Sequence, residues 1–303
     1  MYLDNNWYGD RFILSKYCKI KDKPAFASIQ HGHNVVNNKN IGKRKISATP
    51  WLVWNNKIAK HCLKNGYKNI VPIGSVFLYL NKINKFKDVK PRGTLVFPLL
   101  SQPEEKNNTN YLKLIEFLKK NLPSPYTISV GISDFKTLTK NYNKTKEVNF
   151  VTWGYRGNKN YLKKLLKNIK THKEIFCIYP GSALIYSLYL NKKVHLAKNL
   201  YLNGKNKKRI NEIQKSLNVN IKDFKNYGLN VRNLNDKKNH LVSKKFLGEI
   251  YIKKPDELIK LLGWNNHFKK FLANFFSIII NLKEDLFNGF NYSNKRRKGI
   301  DFK

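Results

Sequence analysis

Short apolar runs alternate along this chain with longer segments in which apolar residues recur every three or four positions. The apolar runs, which are typical of strands, lie at 25–30, 51–54, 69–73, 94–98, 126–132, 148–153, 175–179 and 193–196. Segments with the spacing of apolar residues that is typical of helices follow several of these runs, at 58–65, 111–120, 162–169 and 182–190. Because strands and helices alternate, the pattern predicts an α/β protein built on parallel sheets.

Two further helices are predicted near the C-terminus. One begins at Pro255, where a proline and two acidic residues occupy the first turn. The other covers 267–287 and combines apolar residues with lysines. This second helix is either a core helix that closes the fold or a basic amphipathic helix that lies on an anionic membrane surface. The Lys-rich segment 81–93 is expected to be a linker.

The charge balance is strongly basic, with 59 Lys and Arg against 19 Asp and Glu and a formal net charge of +40. Such a charge favours a polyanionic partner: nucleic acid, an anionic membrane surface or phosphorylated substrates. Asn and Ile are abundant together with Lys. Because the codons of all three residues are AT-rich, an AT-rich genome could produce part of this charge, and charge alone does not choose among these partners.

The cysteines and the N-terminal residues bear on the compartment. The three cysteines are far apart and form no pair with zinc-ligand spacing, which fits a reducing cytoplasm. The first residues contain no apolar signal segment, and the apolar patch at 275–280 is far shorter than a membrane span. We therefore expect a cytoplasmic protein.

The strongest candidate for chemistry is the tetrapeptide Gln30-His31-Gly32-His33, which follows the first predicted strand. Loops at strand ends often carry catalytic residues, and histidine titrates near neutral pH. His31 and His33 are therefore candidate catalytic residues. The alternative, that one histidine caps the strand and the other faces solvent, stays open.

Three other predicted strand ends carry residues that suit a phosphate. They are Ser101, Arg156 and the pair Gly181 and Ser182. In the last case a small-residue turn enters a helix, whose N-terminus offers unpaired N–H groups and a partial positive charge. An ordinary serine N-cap is the alternative reading of Ser182. Ligands of parallel sheets bind at the carboxyl ends of strands, so these ends together favour a nucleotide site.

The order of these motifs resembles bacterial surface-polysaccharide glycosyltransferases of the GT-B fold, including teichoic-acid glycerophosphotransferases and Kdo- or sialic-acid-type transferases. The similarity covers residues 25–265. It implies two Rossmann-like domains facing each other across a cleft. On this basis we expect a reduced acceptor-side domain at 1–90, a nucleotide-sugar domain at 91–265, and a C-terminal helix with a basic tail at 266–303.

The resemblance also implies an activity: transfer of a sugar from a nucleotide-activated donor to a glycan or lipid-linked acceptor, without a metal and with no cofactor besides the nucleotide-sugar. It implies that His31 is the general base and that His33 assists or binds substrate. Ser101, Arg156, Gly181 and Ser182 would hold the donor. The sequence contains no DxD pair of acidic residues that could hold a divalent metal over a diphosphate.

A cytoplasmic protein is expected, and a peripheral position on the inner face of the cytoplasmic membrane is compatible with the glycosyltransferase reading. Two other functions stay open. One is a basic nucleic-acid-binding protein, although no RRM, KH, zinc-finger or helix–turn–helix signature is present and no specific nucleic acid is expected. The other is a catalytically inactive protein with a GT-B-like fold.

Overall fold

The structure is a computed structural model that describes residues 7–32, 49–84, 90–98, 109–142, 147–198, 201, 207–267, 272 and 275. The strands are β1 (Ser28–Ile29), β2 (Trp51–Val53), β3 (Ile70–Pro72), β4 (Thr94–Phe97), β5 (Tyr126–Ser129), β6 (Val148–Val151), β7 (Glu174–Cys177) and β8 (Lys193–Leu196). The helices are α1 (Asp10–Tyr17), α2 (Asn56–Lys64), α3 (Val76–Ile83), α4 (Tyr111–Asn121), α5 (Ile132–Tyr142), α6 (Tyr161–Thr171), α7 (Ser182–Tyr189), α8 (Lys207–Asn226), α9 (Lys237–Leu247) and α10 (Pro255–Leu261).

The strands form two parallel sheets. The first has the order β1-β2-β3 and the second has the order β6-β5-β4-β7-β8. If the strands of the second sheet are numbered along the chain, their spatial order is 3-2-1-4-5, which is the Rossmann order. The prediction of an α/β protein with parallel, Rossmann-like sheets is thus confirmed, and the arrangement is consistent with a GT-B-type fold.

The central strands of the second sheet are buried along their whole length. Every residue of β4 and of β7 is buried, as expected when helices cover both faces of a parallel sheet. Their register pairs Thr94 with Glu174 and Phe97 with Cys177. The two strands therefore end side by side. The chain extends the sheet from β4 to β5 and β6 on one side, and then from β7 to β8 on the other side, so the switch point lies between β4 and β7.

Five helices were not individually predicted from the apolar pattern: α1, α3, α5, α8 and α9. In α3, five consecutive residues from Val76 to Leu80 are buried. Their sequence therefore does not alternate between apolar and polar positions with a helical period. The strand predicted at 126–132 ends at Ser129, and α5 begins within the remainder. There the carbonyl oxygen of Gly131 accepts hydrogen bonds from the N–H groups of Asp134 and Phe135. Helix α1 precedes the first strand, and α8 and α9 follow the last.

Two other expectations differ from the structure. The strand predicted at 25–30 is shortened to Ser28–Ile29, because the N–H of Phe26 donates to the carbonyl of Leu262 and not to a neighbouring strand. The first part of the linker predicted at 81–93 belongs to α3. Most of the helix predicted at 267–287 lies outside the described residues.

The segment that follows α8 returns to the first sheet and closes its core. The side chain of Asn55 donates to the carbonyl of Phe246 at 2.6 Å, and the indole of Trp264 donates to the carbonyl of Pro24 at 3.0 Å. Gly248 has φ 73°, and a β-carbon there would lie 1.8 Å from the Trp54 carbonyl oxygen. Only glycine therefore fits this approach of the two backbones.

One apolar core extends from the first sheet to the second. It contains Leu52 of β2, Leu95 of β4 and Ile175 of β7, together with residues of α3, α7 and α9. A smaller core lies on the opposite face of the second sheet, beneath α4. Helix α3 packs against α1 and α6, and α7 packs against α9. Among the described residues, no helix has both the length and the apolar character that crossing a bilayer requires.

Candidate functional site

The loop after β1 is held by the buried side chain of Gln30. Its amide nitrogen donates to the Gly32 carbonyl at 2.8 Å, and its amide oxygen accepts from the Trp54 N–H at 2.8 Å. Gly32 has φ 71°, a left-handed conformation that glycine adopts at low cost. These contacts fix the loop against the end of β2 and set the position of His31.

His31 is paired with a buried carboxylate. Its Nδ1 lies 2.8 Å from Oδ2 of Asp10, and the Asp10 side chain is only 5% exposed, against 26% for His31. A carboxylate at Nδ1 keeps the proton on that nitrogen in the neutral imidazole, so Nε2 carries the basic lone pair. Burial raises the pKa of Asp10, and the hydrogen bond and charge of His31 lower it only in part.

Aromatic residues and an arginine line one side of this pair. The rings of Trp7 and Tyr8 lie 6.3 and 6.4 Å from the His31 ring. The guanidinium of Arg156, in the loop after β6, lies 5.9 Å from the centre of the Trp7 ring. The Tyr8 N–H also donates to the Arg156 carbonyl at 2.5 Å. Burial raises the pKa of Tyr8. The charge of Arg156 lowers this pKa and the charge of Asp10 raises it, so both charged side chains act on the Tyr8 hydroxyl.

The turn between β7 and α7 faces the histidine loop. A β-carbon built on Gly32 would lie 3.6 Å from the Ser182 hydroxyl oxygen. The turn follows β7, beside the end of β4, where the strand order reverses. Asn220 of α8 holds the turn from outside, because its amide nitrogen lies 2.6 Å from the Tyr179 hydroxyl and 3.4 Å from the Pro180 carbonyl.

Tyr186 of α7 packs against aromatic residues from the first half of the chain. Its ring stacks on Phe77 with a centroid distance of 4.0 Å and an interplanar angle of 4°. Burial raises the pKa of Tyr186 far above its usual range, and the nearby Asp10 raises it further. Tyr186 is therefore a neutral phenol at physiological pH.

The structure brings four of the predicted site residues to one place: His31, Arg156, Gly181 and Ser182. His33 and Ser101 lie outside the described residues. Sequence reasoning missed Asp10, Trp7, Tyr8 and Tyr186. Asp10 has the one usable signal, since it stands in the first turn of a helix, where a carboxylate is favoured.

The described residues contain no group of three or more His, Cys, Asp or Glu side chains that could hold a metal ion. The positive charge next to the paired histidine comes instead from Arg156 and from the N-terminus of α7. The arrangement can thus accept a proton at His31 and receive an anionic group at the Ser182 turn.

Comparisons with known proteins give structural similarity only. No protein-family model matches the chain, and no curated protein matches it in sequence. A glycosyltransferase from Rickettsia africae is similar with a TM-score of 0.32 and 12% identity, covering 77% of this chain and 70% of that one. S. aureus MnaA, in a structure with UDP, has a TM-score of 0.36 and 10% identity, covering 90% and 71%.

A mutant of S. aureus TarM, in complex with Fondaparinux, alpha-GlcNAc-glycerol and UDP, is similar with a TM-score of 0.33 and 15% identity. The similarity covers 84% of this chain and 51% of that protein.

Proposed function

We propose that this protein transfers a sugar from a nucleotide-activated donor to an acceptor hydroxyl, with His31 as the general base. The observation that carries the proposal is the placement of the Asp10–His31 pair opposite the Gly181–Ser182 turn. That turn lies at the carboxyl edge of the second sheet, at its switch point, where parallel sheets of this type bind their ligands.

His31 is suited to take the acceptor proton. Asp10 holds Nδ1, so Nε2 receives the proton as the acceptor oxygen attacks the anomeric carbon of the donor. The bond between that carbon and the phosphate oxygen breaks, and the nucleotide leaves with the bonding electron pair. The buried carboxylate then stabilises the imidazolium that forms.

The donor phosphates are assigned to the turn before α7. The first N–H groups of α7 and the Ser182 hydroxyl can donate to phosphate oxygens, and the helix N-terminus favours the negative charge of the leaving nucleotide. Arg156 is available at the same rim for a charge-assisted contact. In this proposal no metal is needed and the nucleotide-sugar is the co-substrate.

The acceptor is proposed to be a glycan or a lipid-linked intermediate of a surface polysaccharide, met at an anionic membrane surface. The support for this finer assignment is the formal net charge of +40, which attracts the chain to anionic lipid headgroups. His33 is proposed to assist His31 or to bind substrate, and Ser101 is proposed to bind the donor.

Turnover of a panel of CMP-, CDP- and UDP-sugars tests the proposal, with nucleotide release as the readout. We expect turnover with at least one donor, and a decrease in kcat of about 10²- to 10⁴-fold in His31→Ala. His61→Ala is the matched control, since the His61 side chain hydrogen-bonds with the side chain of Asn65 at the end of its own helix. No turnover with any donor, or equal activity of the two variants, contradicts the proposal.

A further inference from the structure

The turn Trp7–Gly9, which leads into α1, lies against the loop that follows β6 of the second sheet. The N–H of Tyr8 donates to the carbonyl of Arg156 in that loop. Tyr8 and Gly9 have φ values of 59° and 79°, so two consecutive residues are left-handed. A β-carbon on Gly9 would collide with the carbonyl group of Lys159. The backbones of the turn and the loop are therefore in direct contact.

The side chain of Arg156 lies over an aromatic ring of this turn. Its guanidinium is 5.9 Å from the centre of the Trp7 ring, and the same ring is 6.3 Å from the ring of His31. Arg156 is half-buried, and among the described residues no aspartate or glutamate forms an ion pair with it. An indole face attracts a guanidinium and limits its movement without neutralising its charge. The charge of Arg156 is thus kept beside the histidine for an anionic ligand.

We propose that Trp7 is a positioning residue that holds the Arg156 guanidinium in place for the phosphate of the donor. The role rests on the proposed function, because it concerns the arginine that is proposed to contact the donor. Asp10, the partner of His31, follows this turn directly in sequence. One short segment of the chain therefore positions both the base and the donor arginine. Trp7 acts through Arg156 and does not itself touch the reacting atoms.

The same segment offers a matched control. The ammonium group of Lys159 lies 5.6 Å from the centre of the Phe12 ring in α1, so a second contact between a cation and a ring joins the two elements. Trp7→Leu and Phe12→Leu each replace one of these rings by an apolar side chain. Only the first change removes a contact with Arg156. A general loosening of the segment affects both variants, whereas loss of positioning affects one.

Calorimetric titration of the full chain with CMP, CDP and UDP measures the effect on donor binding. For the nucleotide that binds most tightly, we expect Kd to rise about three- to tenfold in Trp7→Leu, as loss of a cation–π contact predicts. Phe12→Leu should keep the affinity of the wild-type protein. In an Arg156→Ala background, Trp7→Leu should cause no further loss, because Trp7 acts only through the guanidinium. Equal losses in the two leucine variants, or full additivity with Arg156→Ala, overturn the proposal.

The NMR signal of the Arg156 side-chain Nε–H group gives a second measurement that needs no nucleotide. It is assigned by its disappearance in Arg156→Lys. The Trp7 ring shifts this signal away from the position of solvent-exposed arginines, and we expect the shift to be lost in Trp7→Leu but kept in Phe12→Leu. If the wild-type protein binds none of the nucleotides, the proposed donor site fails, while this signal still decides whether Trp7 holds Arg156. A signal that Trp7→Leu leaves unchanged overturns the positioning role.

Discussion

Replacement of Asp10 by asparagine separates the chemistry of the site from its stability. The carboxylate lies 2.8 Å from Nδ1 of His31 and its side chain is 5% exposed, so the contact is a charge-assisted hydrogen bond shielded from water. Hydrogen bonds to charged groups contribute about 1.5–3 kcal/mol. Loss of the charge in Asp10→Asn should therefore lower kcat by about 10- to 100-fold.

The same substitution is not expected to lower the stability of the fold. Burial raises the pKa of Asp10 above its value in the unfolded chain, so ionisation of this carboxyl opposes folding as the pH rises through the acidic range. Asparagine of nearly the same shape removes that cost. We expect the thermal midpoint of Asp10→Asn at pH 7.5 to equal or exceed that of the wild-type protein.

Parallel measurements of kcat against pH and of thermal unfolding test both expectations on one preparation. Asp10→Ala serves as a comparison, because it removes the hydrogen bond and also leaves a space in the core. The reasoning is refuted if Asp10→Asn retains full activity. It is also refuted if the loss of activity is accompanied by an equal loss of folded protein, since Asp10 would then act only in folding.

Three other predictions concern the fold and its surface. Gly248→Ala should destabilise the protein by several kcal/mol, because its β-carbon would meet the Trp54 carbonyl. Gly66→Ala should cost only about 1 kcal/mol, since Gly66 has φ 82° and open space around it. Similar denaturation midpoints for the two variants would contradict this prediction. Burial lowers the pKa of His172, a hydrogen bond to Asn168 opposes the shift, and Lys192 adds to it. The folded state therefore binds fewer protons than the unfolded chain, and urea denaturation should show stability falling as the pH drops below about 6.5, but less so in a His172→Gln variant. Co-sedimentation with liposomes should increase with the fraction of anionic lipid and decrease with salt; binding that is indifferent to both would exclude the membrane surface proposed for the acceptor.

Local patterns predicted the elements that carry their own apolar run or helical period. The strands from β2 to β8 follow short apolar runs, and α10 begins at its predicted proline. Helix α3 could not be found in this way, because its first five residues, Val76 to Leu80, are all buried and show no alternation of apolar and polar positions. Element ends were also less certain, as the early start of α5 shows.

The candidate site could be predicted only in part for a different reason. His31 and Ser182 stand at strand ends that any parallel sheet brings to one edge. Asp10, the partner of His31, stands in the first turn of a helix, and this position favours a carboxylate without indicating what the carboxylate contacts. Tyr186 lies inside a helix and has no distinguishing pattern. Asp10 approaches His31 from a helix that precedes the first strand, and the Tyr186 ring stacks on Phe77 of α3, which is far away in sequence. Such pairings follow from tertiary packing and leave no trace in spacing.

The return of the last described helices to the first sheet has a consequence for synthesis of the chain. Trp264, Leu262 and Leu258 are almost fully buried, and Trp264 and Leu262 hydrogen-bond to backbone groups near residue 25. The first sheet is made early by the ribosome but must wait for residue 264 before its core is complete. During that interval its apolar face is exposed, so aggregation and chaperone dependence should be greatest for nascent chains that end before α10.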